Sequence, residues 1–85
     1  MKLSFEEYDA VMMEHRPQWR GLQIEAKKIR YDEWYAGTPT EAFYLEHHSN
    51  GLPQSAIDYV INIIRAVEAA EHTKSLHAIE KAIEL

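Results

Sequence analysis

The feature that most constrains this chain is its last third, because residues Gln54 to Leu85 contain no glycine and no proline. Those are the two residues that most often interrupt a helix. Apolar residues recur here at spacings of three and four, in two adjacent stripes: Ala56, Val60, Ile63 and Val67, and beside them Ile57, Ile61 and Ile64. A helix that is apolar over this width is covered on two sides. The segment therefore predicts a long central helix in an all-α fold.

Two interpretations stay open for the end of this helix. Leu76, Ile79 and Ile83 continue the apolar line and favour one unbroken helix, whereas Thr73 and Ser75 are good caps for a restart. An unbroken helix would carry the three apolar side chains beyond the body of a small bundle, and we then expect a homodimer to cover them. A fifth helix folded back on the bundle would instead cover them within a monomer.

The first helix has a complete start signal. Ser4 is an N-cap residue, and Glu7 follows three positions later, which is the spacing of a capping box. A helix is predicted to begin at Phe5. It ends before Pro17, because the residue that precedes a proline is pushed out of the helical region.

The segment after Pro17 is predicted to be a second helix that ends at Ala36-Gly37, where glycine would supply a left-handed stop. Its apolar stripe steps by three and four through Trp19, Leu22, Ala26, Ile29 and Glu33. Gly21 weakens this helix, since glycine in a helix costs about 1 kcal/mol relative to alanine. A short extended piece over Leu22–Ala26 is the alternative.

A short third helix is predicted from Pro39 to about His48, with Thr38 as its N-cap and Pro39 at the first helical position. The strongest break in the chain follows it, at Ser49-Asn50-Gly51-Leu52-Pro53. The expected architecture is an all-α bundle of four helices, or five if the last one breaks near Thr73, joined by short capped turns. Residues 1–85 form a single domain in this prediction.

Charge argues against general affinity for nucleic acid. The chain holds 14 Asp and Glu against 9 Lys and Arg, for a net charge of −5, whereas phosphate binding needs an excess of cations on at least one face. Residues 16–30 are the exception, with five Lys or Arg side chains and one carboxylate. A nucleic-acid-associated regulator that uses this basic segment is therefore the alternative function.

Chemical motifs are scarce. The chain has no cysteine, no serine in a Gly-x-Ser-x-Gly turn, and no glycine-rich phosphate loop. His72 and His77 are five residues apart, which is not the spacing that aligns two metal ligands on one helix face. We therefore predict no catalytic residue, no metal site and no cofactor. A metal-dependent enzyme that uses the five histidines is the third and weakest hypothesis.

Aromatic residues give the most specific indication of a binding surface. Five of the nine aromatic side chains lie within fourteen residues, near several arginines. Exposed aromatic and arginine side chains are typical of interface hot spots. The predicted partner-binding residues are Arg20, Arg30, Tyr31, Trp34, Tyr35, Phe43 and Tyr44. The competing interpretation is that these aromatics are the large-residue half of the core.

Helix geometry sharpens this prediction. Residues 34 and 35 of one helix point about 100° apart, so we expect either Trp34 or Tyr35 to be substantially exposed. The function predicted from the sequence is a non-enzymatic protein–protein interaction module, namely a small accessory or inhibitor-type protein of the sort that phages and mobile elements encode. No apolar leader or membrane-spanning run is present, which with the lack of cysteine predicts a cytoplasmic location. The partner is an unidentified protein.

Overall fold

The computed structural model describes residues 2–37 and 40–83, and they form four α-helices, one 3-10 helix and no strand. The prediction of an all-α fold is confirmed. In chain order the elements are α1 (Phe5–His15), the 3-10 helix (Pro17–Gly21), α2 (Ile24–Gly37), α3 (Glu41–His47) and α4 (Gln54–Ile83). None of the described helices is both long enough and apolar enough to cross a membrane.

The predicted start of α1 is confirmed. The Glu7 backbone N–H donates to the Ser4 hydroxyl at 3.2 Å, and the Ser4 backbone N–H donates to Glu7 Oε1 at 2.9 Å. These reciprocal bonds form the capping box. At the other end, Arg16 has an extended backbone, with φ −133° and ψ 98°. Pro17 thus ends α1 where the sequence predicts.

The prediction of one α-helix from Pro17 onward is wrong. Residues Pro17–Gly21 form a 3-10 helix, Leu22 is extended with φ −82° and ψ 144°, and α2 begins at Ile24. A contact distant in sequence holds this turn against α1, because the Trp19 indole N–H donates to Asp9 Oδ1 at 2.6 Å. Trp19 is completely buried. The extended alternative, Leu22–Ala26, is therefore correct only at Leu22.

The predicted apolar stripe is correct for Trp19 and Leu22, which belong to the core or pack against it, but it is wrong within α2. Ile29 is 59 % exposed, and Glu33 is exposed as well. The side chains that pack against the core are instead Tyr31, Trp34 and Tyr35. The larger aromatic rings bury more surface than the aliphatic residues would, and they decide which face of α2 turns inward.

The junction between α2 and α3 differs from the prediction in two ways. Gly37 is the last residue of α2 and lacks the predicted left-handed backbone; Gly51, in the turn before α4, is the glycine with positive φ, at 81°. The predicted cap Thr38-Pro39 lies outside the described residues. Helix α3 begins at Glu41 rather than Pro39, because Thr40 is its N-cap and accepts a hydrogen bond from the Phe43 N–H at 3.1 Å.

Helix α4 is unbroken over Gln54–Ile83, so of the two interpretations left open the continuous helix is the correct one, and no fifth helix forms among these residues. Thr73 does not act as a cap; its hydroxyl donates to the Ala69 carbonyl within the helix at 3.0 Å. The two predicted apolar stripes meet the core through Ile61, Ile63, Ile64 and Val67, which are buried. Thirty residues at 1.5 Å each make α4 about 45 Å long, which is close to the 51 Å length of the molecule.

The packing of the helices leaves a space on one side of the core. The main hydrophobic cluster is formed by buried residues of α1, the 3-10 helix and α4, together with Leu3. Helix α2 packs on α1, whereas α3 packs on α4. Because α2 and α3 rest on different partners, a cleft opens between them.

Candidate functional site

Tyr8 of α1 is the centre of the aromatic cluster, although the sequence analysis did not assign it to the candidate site. The rings of Trp19, Tyr31, Trp34 and Tyr35 have their centroids 5.4 to 6.0 Å from that of Tyr8. Tyr8 is 1 % exposed. No sequence pattern indicates that aromatic side chains of the 3-10 helix and of α2 gather around it, because they come from other elements of the fold.

Two of the predicted binding residues hold the fold together. The Tyr31 hydroxyl donates to the Leu3 carbonyl at 2.6 Å, and the Tyr35 hydroxyl accepts from the Leu3 N–H at 3.2 Å. The Tyr35 hydroxyl also donates to Glu71 Oε1 at 3.1 Å, and burial raises the pKa of Tyr35 above its usual range. These bonds connect α2 to the start of the chain and to α4. They favour the core interpretation for Tyr31 and Tyr35.

The expectation that either Trp34 or Tyr35 would be substantially exposed is wrong, because both are half-buried. Their ring centroids lie 5.8 and 6.0 Å from that of Tyr8. One large ring on the facing helix therefore covers both side chains, even though they leave α2 in different directions. The helical angle alone did not account for the width of the surface that α2 packs against.

Several of the predicted residues meet in the cleft between α2 and α3, which we call the aromatic cleft. It has a volume of about 400 Å³. Tyr8, Met12 and Trp19 line its base and are buried. Four of the seven residues predicted from the sequence also line it: Arg30, Trp34, Phe43 and Tyr44.

Arg20 is not part of this cleft. It lines a separate, smaller depression with Met13, Glu14 and Pro17. Its Nε–H donates to the Met13 carbonyl at 3.2 Å. The structure therefore does not bring Arg20 together with Phe43 and Tyr44.

Arg16, which was not among the predicted binding residues, lines the aromatic cleft, whereas the predicted Arg20 does not. Neither Arg16 nor Arg30 forms an ion pair with another residue in the described ranges. Burial raises the pKa of Tyr8 to about 12, and the positive charges of the two arginines oppose that rise. Both guanidinium groups therefore act on the Tyr8 phenol. Glu33 is the carboxylate that lines the same cleft.

A second cleft of about 460 Å³ adjoins the first, since Arg16 and Trp34 line both. Residues of α4, among them Tyr59 and Ile63, form its other side. The Tyr59 hydroxyl donates to Gln18 Oε1 at 2.9 Å and so bridges α4 and the 3-10 helix. We call the two clefts together the groove. No sequence motif marks it, because its sides come from segments about forty residues apart.

The basic segment 16–30 does not place its charges on one surface. Lys27 pairs with Asp9 at 3.1 Å. The Trp19 hydrogen bond and, to a smaller extent, this ion pair lower the pKa of Asp9. Lys28 lies 5.9 Å from the ring centroid of Phe5. Only Arg16 and Arg30 of the segment's five cations line the aromatic cleft.

Within residues 2–37 and 40–83, no group of three or more His, Cys, Asp or Glu side chains could hold a metal ion. No family model, curated protein or solved structure matches this chain. The groove is therefore the feature of this protein that bears on its function. Chemically, the groove offers aromatic surface for apolar contact and two guanidinium groups for an anion.

Proposed function

We propose that this protein is a non-enzymatic protein–protein interaction module, and that it binds its partner through the groove. The observation that carries the proposal is the meeting of Trp34, Phe43 and Tyr44 with two arginines that have no ion-pair partner among the described residues. Aromatic and arginine side chains provide most of the binding energy in typical interfaces. We further propose that it acts in the cytoplasm as an accessory or inhibitor-type protein.

The base of the aromatic cleft supports a binding role because it is rigid. Tyr8 and Trp19 are 1 % and 0 % exposed, and their rings meet edge to face with centroids 5.7 Å apart. The more exposed side chains of the cleft, such as Phe43, therefore rest on a part of the core that is already ordered. Binding to such a surface loses less conformational entropy than binding to a mobile one.

The proposal changes the residues assigned to the interface. Phe43 is 40 % exposed on α3, and together with Trp34, Arg16 and Arg30 it forms the proposed contact surface. Tyr31 and Tyr35 position α2 through their hydrogen bonds to Leu3. We therefore assign them a structural role, and we leave Arg20 outside the contact surface.

The test is affinity purification of tagged protein from its native host, followed by mass spectrometry, with wild type and two variants. Phe43→Ala removes the exposed ring of the cleft. Leu45→Ala is the matched control, because Leu45 lies on the same helix, is 44 % exposed and does not line the groove. We expect a stoichiometric partner with wild type and Leu45→Ala, and its loss with Phe43→Ala.

Circular dichroism establishes that both variants are folded. A partner that Phe43→Ala retains would contradict the proposal, as would a partner that folded Leu45→Ala and Phe43→Ala lose equally. Repeated purification without any stoichiometric partner would also contradict it.

A further inference from the structure

The geometry of the aromatic cleft points to the chemistry of the partner: we infer that it binds an acidic peptide segment, whose carboxylate is held by Arg16 and Arg30 while a neighbouring apolar side chain packs against Trp34 and Phe43. This inference rests on the proposed function and deepens it. It names the kind of segment that enters the cleft, which the proposed function leaves open.

Arg16 and Arg30 differ from the ion-paired basic side chains of the protein. Lys27, Arg65 and Lys74 each lie within 3.1 Å of a carboxylate oxygen. Arg16 and Arg30 have no such partner within the described ranges, and neither do four of the other basic side chains. Arg16 and Arg30 differ from those four because they line the same cleft. In an acidic protein, two cations that line one cleft without a carboxylate partner are available for an external anion.

The cleft also has hydrogen-bond donors that suit a carboxylate. A guanidinium group binds a carboxylate through two parallel N–H···O bonds, which fixes its orientation. Tyr8 lines the base of the same cleft, and its hydroxyl is a third hydrogen-bond donor there. Among the hydrogen bonds of the described residues, none uses the Tyr8 hydroxyl.

The small net charge of the cleft favours a peptide over a nucleic acid. Glu33 lines the same cleft as the two arginines, so the excess of positive charge there is small. A chain of phosphates needs a continuous series of cations, and here Arg20, Lys27 and Lys28 have contacts outside the cleft. A single carboxylate beside an apolar side chain fits this distribution of charge.

The experiment is a selection from a random library of twelve-residue peptides displayed on phage, with wild type, the double variant Arg16→Gln/Arg30→Gln, and the control Arg20→Gln. Affinities of the selected peptides are measured by tryptophan fluorescence, because both tryptophans of the chain, Trp19 and Trp34, line the cleft. We expect wild type and Arg20→Gln to select peptides with Asp or Glu next to an apolar residue. The double variant should bind those peptides at least about tenfold more weakly.

Replacement of the acidic residue of a selected peptide by its amide should weaken binding to wild type by a similar factor. The inference is overturned if no peptide is enriched, if the enriched peptides lack acidic residues, or if Arg20→Gln loses as much affinity as the folded double variant. Tighter, Arg16- and Arg30-dependent binding of a twelve-nucleotide single-stranded DNA would also overturn it, in favour of a nucleic-acid ligand.

The two proposals can fail separately. If the double variant retains the Phe43-dependent partner, the acidic-peptide inference is wrong and the interaction role stands. If acidic peptides bind through Arg16 and Arg30 but purification yields no Phe43-dependent protein, the site is correct and the proposed cellular role is wrong.

Discussion

The two halves of α4 have similar apolar spacing and opposite environments. In the inner half, residues 54–71, Ile64 and Val67 are completely buried. In the outer half, residues 72–83, Leu76, Ile79 and Ile83 are 45, 53 and 77 % exposed. The periodicity of apolar residues thus predicts that both halves are helical, but it does not by itself predict which half is covered.

The width of the apolar face distinguishes the two halves. The inner half is apolar along two adjacent stripes, whereas the outer half has one line, in which Leu76, Ile79 and Ile83 are spaced by three and four residues. A wide stripe is typical of a helix in a core, and a narrow one is typical of a coiled-coil seam. Lys74 makes the last described hydrogen bonds from α4 to the rest of the bundle, donating to Glu7 Oε1 at 2.7 Å and to the Lys2 carbonyl at 3.2 Å.

The largest expected effect comes from the same truncation in the two halves. Ile64→Ala should lower the free energy of unfolding by about 2–5 kcal/mol, because it removes a buried side chain and leaves a cavity. Ile79→Ala should change it by less than about 0.5 kcal/mol, because that side chain is already in contact with solvent. Urea denaturation at low protein concentration measures both values. Equal losses would show that another surface covers the outer half.

A smaller effect is expected at the boundary between the halves, where Tyr35 meets Glu71. Tyr35→Phe removes the hydroxyl that bonds to both Leu3 and Glu71, and we expect a loss of about 1–3 kcal/mol on thermal or urea unfolding. Tyr59→Phe is the matched control, since its hydroxyl bond to Gln18 is exposed to solvent and should contribute less. A neutral Tyr35→Phe would mean that the ring packing alone positions α2.

The homodimer expected from the exposed line of Leu76, Ile79 and Ile83 is the third prediction. A standard interface buries about 800 Å² per partner, and one short line of side chains supplies less than that. We therefore expect weak self-association, seen in sedimentation as a mass that rises above 9.9 kDa with concentration. Ile79→Gln/Ile83→Gln should abolish the rise. A monomer at every concentration would contradict the prediction.

Sequence reasoning succeeded where a local rule determines the structure. The capping box of Ser4 and Glu7, the end of α1 at Pro17 and the helical state of the last third of the chain all follow from neighbouring residues. It failed at the start and face of α2, because the contact between Trp19 and Asp9 joins two elements. The groove was predicted only in part for the same reason. Arg16 is the C-cap of α1, and its side chain lines a cleft whose other sides come from α2 and α3.

The smallest effect concerns the contact that joins the outer half to α1. The hydrogen bond from Lys74, together with those from Ser4, lowers the pKa of Glu7 to about 2 from a usual value of 4.5. Because the pKa is lower in the folded state, the stabilisation is complete above pH 4.5 and is lost as the pH falls through about 2. Both side chains of this ion pair are partly exposed to solvent, so its effect on the free energy of unfolding is small.

The pKa itself is a sharper measurement than stability. We expect the Glu7 carboxyl to titrate near pH 2 by nuclear magnetic resonance, and Lys74→Met to move the midpoint towards the usual value. Lys81→Met is the control, because Lys81 follows Lys74 by two helical turns on the outer half. This variant should leave the midpoint of the Glu7 titration unchanged. If Lys74→Met also leaves it unchanged, the capping box alone holds the carboxylate. The ion pair between Lys74 and Glu7 would then contribute little to holding the outer half against α1.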